Sequence, residues 1–327
     1  HQSLEIVSNS DNILHADNKF DAAALPAKLT VRDDVTNLII GTNLADYNAR
    51  VTGNADISVK DAITRGQLAF INGATSGDIT LENHSTKLTG TVSQLNTALN
   101  GFSNGPAGVA NKFSGAIEAS DDIANFATGG SITALFQHIV NIQPATQVVV
   151  EDAINDSTKT KDLGAVNSAT TGGIKLEQVA SLHGTVAELC KALDGFTKGT
   201  AKNVENEFWQ TINLTDELEN MYDNSFDNKV TPDFYKLKNL ADDFHVTINS
   251  STTHPYDVNS LAAINNMVPD GNLTLGKKNT TLTGTKAEID AALNGIIASG
   301  YTGVITIRDT TANITTALAT YAGVGKI

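Results

Sequence analysis

Cysteine is nearly absent from this chain of 327 residues, with Cys190 the only one. A single thiol can neither close a disulfide framework within the chain nor build a cysteine-based zinc site. Its place among apolar-spaced residues reads as a buried structural thiol rather than a nucleophile. Aromatic residues are scarce too, 6% of the chain against 40% hydrophobic residues in all, so the core must be made of Ile, Leu, Val and Ala. No apolar run reaches the roughly 18 to 20 residues that a bilayer-crossing helix needs. Positive charge is short: 22 Lys and Arg face 36 Asp and Glu, for a net charge of −14. That balance disfavours nucleic-acid backbones, anionic membranes and membrane insertion, and favours cations or a basic partner.

Catalytic signatures are missing as well. There is no Gly-X-Ser-X-Gly elbow, no Walker loop and no dinucleotide fingerprint. The histidines (His1, His15, His84, His138, His183, His245, His254) are scattered without the spacing of a metal-binding helix. Paired acids such as Glu217 and Glu219 would serve a glycoside hydrolase only in a cleft. The chain reads as a non-enzyme.

What is present is a repeat. Leu88-Thr-Gly-Thr-Val-Ser-Gln-Leu-Asn-Thr-Ala-Leu-Asn-Gly101 returns as Leu182-His-Gly-Thr-Val-Ala-Glu-Leu-Cys-Lys-Ala-Leu-Asp-Gly195. It returns again as Leu282-Thr-Gly-Thr-Lys-Ala-Glu-Ile-Asp-Ala-Ala-Leu-Asn-Gly295. Thr91, Thr185 and Thr285 stand at the N-cap, with Gln94, Glu188 and Glu288 three residues on, the spacing of a capping box. Leu95, Ala98 and Leu99, with their counterparts Leu189, Ala192, Leu193 and Ile289, Ala292, Leu293, give an i, i+3, i+4 apolar face. Gly101, Gly195 and Gly295 then end each helix.

Strand-like runs precede each helix: 78–82, 173–177 and 272–275, with a second set at 56–61, 147–152 and 245–249. Helical stretches lie between the two sets, at Gly66–Asn72, Asp162–Asn167 and Asp257–Asn265. The larger unit predicted is strand, helix, strand, capped helix, which implies parallel strands joined by crossovers. Further strands are expected at 3–7, 28–33, 114–119, 209–214 and 303–309. Further helices are expected at 20–25, 43–50, 132–139, 232–240 and 314–321. The expected fold is α/β, a right-handed β/α solenoid of about eleven strand–helix units, its parallel strands stacked in a sheet with short helices outside. A string of three small α/β domains is the rival arrangement.

The whole chain, 1–327, then reads as a single elongated repeat domain. N-terminal units occupy 1–54, the first repeat 55–105, a connecting unit 106–145 and the second repeat 146–199. A divergent insertion unit covers 200–243, the third repeat 244–300 and a C-terminal half-unit 301–327. The chain opens at His1 rather than Met, which reads as a removed leader or a piece of a longer chain.

Two sets of candidate site residues follow. Asp33, Asp61, Asp152 and Asp309 recur at or just past strand ends, with Asp121, Asp122 and Asp216 in corresponding slots. Stacked carboxylates could hold Ca²⁺, an oxygen-seeking ion; the other reading is turn and helix-cap residues. Trp209, Tyr222 and Tyr235, in the insertion, are the candidate interaction surface, because departures from a repeat map to exposed loops.

The Leu-Thr-Gly-Thr-X-Ala-Glu-Ile-Asp-Ala-Ala-Leu-Asn-Gly pattern, followed by Gly300-Tyr-Thr-Gly-Val-Ile-Thr-Ile-Arg-Asp309, resembles the Thr/Ala/Gly-rich repeats of large secreted bacterial surface proteins. Those are adhesin-like and S-layer-like chains, often beside RTX calcium repeats; this chain lacks the RTX nonapeptide. The resemblance spans most of 55–321. It implies an extracellular, non-enzymatic structural protein that self-assembles into a surface layer, filament or adhesive fibre. The alternative is a receptor- or carbohydrate-binding module of an adhesin or phage fibre, with surface polysaccharide or a receptor as partner.

Overall fold

A computed structural model of the protein describes residues 5–6, 30–40, 43–44, 55–83, 86–178, 180–201, 204–223, 225, 229–249, 256–269, 272–276, 281–296, 301 and 303–322. The chain forms two compact units, one of residues 1–152 with 168–174, the other of 153–167 with 175–327. Both are mixed α/β.

In the first unit the strands of the main ladders are β1 (Glu5–Ile6), β2 (Thr30–Asp33), β3 (Asp56–Val59), β4 (Ile79–Leu81), β5 (Lys87–Gly90), β6 (Ala116–Asp121) and β7 (Gln147–Val150). β8 (Ile174–Leu176) begins at the boundary. The second unit has β9 (Ser181–Gly184), β10 (Thr211–Glu217), β11 (Asp243–Asn249), β12 (Leu273–Leu275), β13 (Thr281–Gly284) and β14 (Val304–Ile307). These strands pair in chain order: β1-β2-β3-β4, then β5-β6-β7-β8, then β9-β10-β11-β12, then β13-β14. The registered pairs in all four ladders are parallel.

Parallel neighbours need crossovers, and helices supply them. In the first unit these are α1 (Val35–Leu38), α2 (Arg65–Ala74), α3 (Val92–Ala98), α4 (Ile123–Phe126) and α5 (Ala134–Ile142). α6 (Ser157–Ala169) lies across the division between the units. α7 (Val186–Ala192), α8 (Pro232–Leu240), α9 (Val258–Met267), α10 (Lys286–Leu293) and α11 (Thr311–Tyr321) belong to the second unit. None of the described helices is long and apolar enough to cross a membrane.

The expected repeat was one strand short. Leu-X-Gly, read from sequence as the approach to a helix cap, is itself the strand β5, β9 or β13. Each of these opens a new ladder, so the repeat of about 95 to 100 residues corresponds to one four-stranded sheet. Only a short link separates it from the strand before, β4 ending at Leu81 and β5 beginning at Lys87. A three-residue apolar pattern next to a glycine carries too little periodicity to be read as a strand.

The expected helix at 43–50 also differs. Asn43–Leu44 is extended and pairs antiparallel with Ile39–Ile40, directly after the single turn α1. The rest of that stretch, and the helix expected at 20–25, lie outside the described residues.

One face of each sheet is core. Ile57, Val59, Leu81, Leu88, Ile117, Ala119 and Val148 are buried in the first unit; Leu182, Ile212, Leu214, Val246, Ile248, Leu282 and Ile305 are buried in the second. Parallel sheets are usually covered on both faces. Here β10, β11, β12, β13 and β14 alternate buried with part-exposed or exposed residues, so their second face is open to solvent.

Candidate functional site: a clasped repeat helix and an open sheet face

The repeat helices α3, α7 and α10 all start on a full capping box. The hydroxyl of Thr91 accepts the amide of Gln94, that of Thr185 the amide of Glu188, and that of Thr285 the amide of Glu288. The return bonds run from the Thr backbone amide to Gln94 Oε1 at 3.2 Å, Glu188 Oε2 at 3.0 Å and Glu288 Oε2 at 2.7 Å. This fold-back explains the glycine of Leu-X-Gly-Thr. A Cβ on Gly90, Gly184 or Gly284 would lie 2.9, 2.9 or 3.0 Å from the returning side-chain oxygen. Burial raises the pKa of Glu188; the amide of Thr185 and the ammonium of Lys161 at 3.1 Å outweigh it, and the carboxyl stays below its ordinary value.

Each repeat helix is also held from outside at both ends. At the N-terminus the first helical amide donates to an aspartate on or just past the next strand: Val92 to Asp121 Oδ2 at 3.1 Å, Val186 to Asp216 Oδ2 at 2.9 Å and Lys286 to Asp309 Oδ2 at 3.0 Å. The one-turn helices obey the same rule, with Val35 donating to Asp61 Oδ1 at 2.7 Å and Ile123 to Asp152 Oδ1 at 2.8 Å. A carboxylate at a helix N-terminus satisfies an orphan donor and complements the helix dipole. At the C-terminus an asparagine of the preceding helix donates its Nδ2 to the last carbonyls. Asn72 reaches Thr97, Ala98 and Asn100 (3.4, 3.2 and 2.8 Å), and Asn167 reaches Lys191, Ala192 and Asp194 (3.3, 3.2 and 2.9 Å). Asn265 reaches Ala291, Ala292 and Asn294 (3.1, 3.4 and 2.8 Å). Sequence reasoning missed these asparagines, although each ends the helical stretch ahead of its repeat. Their recurrence was the available signal.

The calcium candidates are each engaged with hydrogen-bond donors. Asp61 and Asp152 cap α1 and α4, and Asp309 caps α10. Asp33 Oδ1 accepts the amide of Asp34 at 2.8 Å and faces Lys60 Nζ at 3.5 Å. These oxygens point at N–H donors, an arrangement for anchoring backbone rather than for sharing a cation. Among the described residues no group of three or more His, Cys, Asp or Glu is placed to hold a metal ion.

The aromatic candidates divide between two ends of a strand. Trp209 is half-buried ahead of β10, and Tyr222 lies past its far end. At about 3.3 Å per residue the strand separates them by roughly 20 Å. Tyr235, 43% exposed, stands on α8.

The stretch that carries these aromatics follows the same plan as the connecting unit. Asp121 and Asp216 each accept from an Asn four residues on, Asn125 at 2.6 Å and Asn220 at 2.8 Å. Thr133 and Thr231 then bond back, their amides to Phe126 and Met221, both at 2.8 Å, their hydroxyls to Asn125 and Asn220. Both threonines cap the following helix.

On the open face, register places Thr215, Thr247 and Thr274 abreast on β10, β11 and β12, and Thr283 beside Thr306 on β13 and β14. None of these five hydroxyls has a hydrogen-bond partner among the described residues. A second row runs His183, Asn213, His245. Asn213 Nδ2 donates to Ser181 Oγ at 2.7 Å, and His245 Nε2 lies 2.8 Å from Asp243 Oδ2. The outward residues of the first unit include ion pairs: Arg32 pairs bidentately with Glu82 at 2.6 and 2.7 Å, and Lys87 with Glu118 at 3.2 Å.

Comparison with family models, curated proteins and solved structures finds no match to the chain.

Proposed function

We propose that the chain is a non-enzymatic structural repeat protein of the extracellular surface, built as a right-handed β/α solenoid, that self-assembles into a layer, filament or adhesive fibre. The observation that carries this reading is the clasp. Each repeat helix takes its N-terminal anchor from the strand after it and its C-terminal anchor from the helix before it. Such a helix is completed by its neighbours, the condition under which repeats stack in one direction.

The parallel sheets supply the chemistry for assembly. Arg308 donates to Gly284 at 2.9 Å, so the alternate amides of Ile305 and Ile307 face away from β13. Main-chain donors in such a row can pair with a strand of another copy. The high negative charge supports a partner that is neither nucleic acid nor membrane.

A second reading, a binding module for surface polysaccharide or a receptor, is favoured by the open face of β10–β12. Its aligned hydroxyl, amide and imidazole groups suit a neutral polyhydroxylated chain.

Electron microscopy of the purified protein, with and without Ca²⁺ or a chelator, tests both. Ordered filaments or sheets are expected. Their loss on chelation would return the strand-end aspartates to consideration as Ca²⁺ ligands. Monodisperse particles in every condition would reject assembly and leave the binding module.

A further inference from the structure

Four Asn-Gly pairs occur in the chain, at Asn72, Asn100, Asn104 and Asn294. In such a pair the glycine amide nitrogen can attack the asparagine side-chain carbonyl, because no Cβ on the second residue obstructs the approach. A C–N bond forms, the glycine N–H gives up its proton and the side-chain nitrogen leaves as ammonia. Water then opens the succinimide ring at either carbonyl, to aspartate or to isoaspartate. Water is the only co-reactant.

The fold sorts the four pairs. Gly73 lies inside α2, and the Asn72 amide is committed to three carbonyls. The amide of Gly105, after Asn104, donates to Phe113 O at 3.3 Å. Both nucleophiles are therefore tied up. Gly101 and Gly295 lie past the ends of α3 and α10 with φ of 79° and 73°, and their amides donate to no acceptor among the described residues. Asn100 and Asn294 are exposed, and their side chains have no partner there either.

We propose that Asn100 and Asn294 are self-modification sites, which deamidate through succinimides and so loosen the C-terminal clasps of the first and third repeat helices. Their main-chain carbonyls are those held at 2.8 Å by Asn72 and Asn265. Isoaspartate routes the main chain through the side-chain methylene and displaces that carbonyl; either product also puts negative charge at a helix C-terminus, where the dipole opposes it. The second repeat already has the acid. Asp194 takes the slot, has no amide to lose, and faces Lys236 Nζ at 3.4 Å. The first and third clasps thus gain charge as they age, whereas Asp194-Gly195 can reach isoaspartate only by loss of water, with no ammonia released and no change of charge.

The test is incubation of the full chain in mildly alkaline buffer, followed by peptide mapping and isoaspartyl-specific enzymatic methylation. Asn100 and Asn294 are expected to convert at least about tenfold faster than Asn72 and Asn104, since the latter require local opening. In denaturant the four rates should converge. Conversion at Asn104 or Asn72 matching that at Asn100 in the folded chain would overturn the proposal, and so would a rate order that denaturant leaves unchanged. Asn100→Gln and Asn294→Gln keep the backbone and should abolish the signal at those positions alone; persistence of the isoaspartyl signal would place the chemistry elsewhere.

Discussion

The stretches after β6 and β10 make the same moves with different residues. In both, an Asp–Asn pair closes one helical turn and a threonine bonds back to that turn before capping the next helix. The apolar packing differs. Phe136 meets Phe126 edge-on, ring centres 5.1 Å apart. At the position of Phe126 the second stretch has Met221, and Phe234 instead meets Phe244 of β11 at 5.4 Å. The turn differs as well. Two glycines, both at positive φ, connect Thr128 to Ser131, while residues 224–228 connect Asp223 to Lys229, whose carbonyl accepts the Asp223 amide at 3.4 Å. The polar anchors are the invariant part of this unit. Apolar partner and turn length are interchangeable around them.

The aromatic pairs offer the largest effect. Phe136→Ala and Phe234→Ala should each destabilise by about 3–5 kcal/mol, as both rings are fully buried. A double-mutant cycle sharpens the comparison. Phe136 should couple to Phe126, and Phe234 to Phe244, by about 0.5–1.5 kcal/mol beyond area burial. A Phe234–Met221 coupling as large as Phe234–Phe244, read by denaturant melts, would mean that the two stretches pack alike after all.

The anchors come next. Asp216 is 8% exposed and Asp121 is half-exposed. Removing Asp216 leaves the Val186 amide with no other anchor in a dry setting, so Asp216→Ala should cost about 1–3 kcal/mol. Asp121→Ala removes a more exposed carboxylate, whose place on the Val92 amide water can take, and should cost about 1 kcal/mol or less. Equal losses would break the claim that burial decides the strength of this clasp.

Asp309 extends the same series to a pH dependence. Hydrogen bonds from Asn313, the Thr310 amide and the Lys286 amide hold its carboxyl below the ordinary value. A lowered folded pKa contributes stability that is present above the unfolded value, about 3.9, and is lost as pH falls through the folded one. Glu82, held down chiefly by Arg32, acts in the same direction. Acid titration of the melting temperature should therefore show a decline below about pH 4, and Asp309→Asn should flatten part of it. An unchanged slope in that variant would remove Asp309 from the account.

Much of this could be read before the fold was known. Thr91, Gln94 and Gly101 announce a helix because capping and termination are local, decided within a few residues of chain. The strand-end aspartates were visible as a row, but their acceptor role was not, since the donor amides lie 23 to 30 residues away in sequence. The same separation hid Asn72, Asn167 and Asn265. The stretch 200–243 looked divergent because its turn sequence differs, although its Asp, Asn and Thr keep the spacing of Asp121, Asn125 and Thr133 up to that turn. Trp209, Tyr222 and Tyr235 are close in sequence, and a strand sets Trp209 apart from Tyr222.

The smallest expected effect belongs to the turn. Replacing 224–228 by Gly-Gly shortens the connection between Asp223 and Lys229 to the length found between Thr128 and Ser131. Loop-closure entropy scales with the logarithm of length, so the gain is about 1 kcal/mol at most. Two adjacent residues at positive φ fit the twist of the flanking strands, as Gly129 and Gly130 do at 62° and 80°. The Thr231 amide should keep its bond to Met221, and thermal melts should shift upward slightly or not at all. Because Tyr222 and Tyr235 are retained, the variant also separates the turn from its neighbours as a contact surface. Assembly or polysaccharide retention that survives the exchange points to the open sheet face or to β14. Loss of either, with the melt unchanged, assigns that contact to the turn itself.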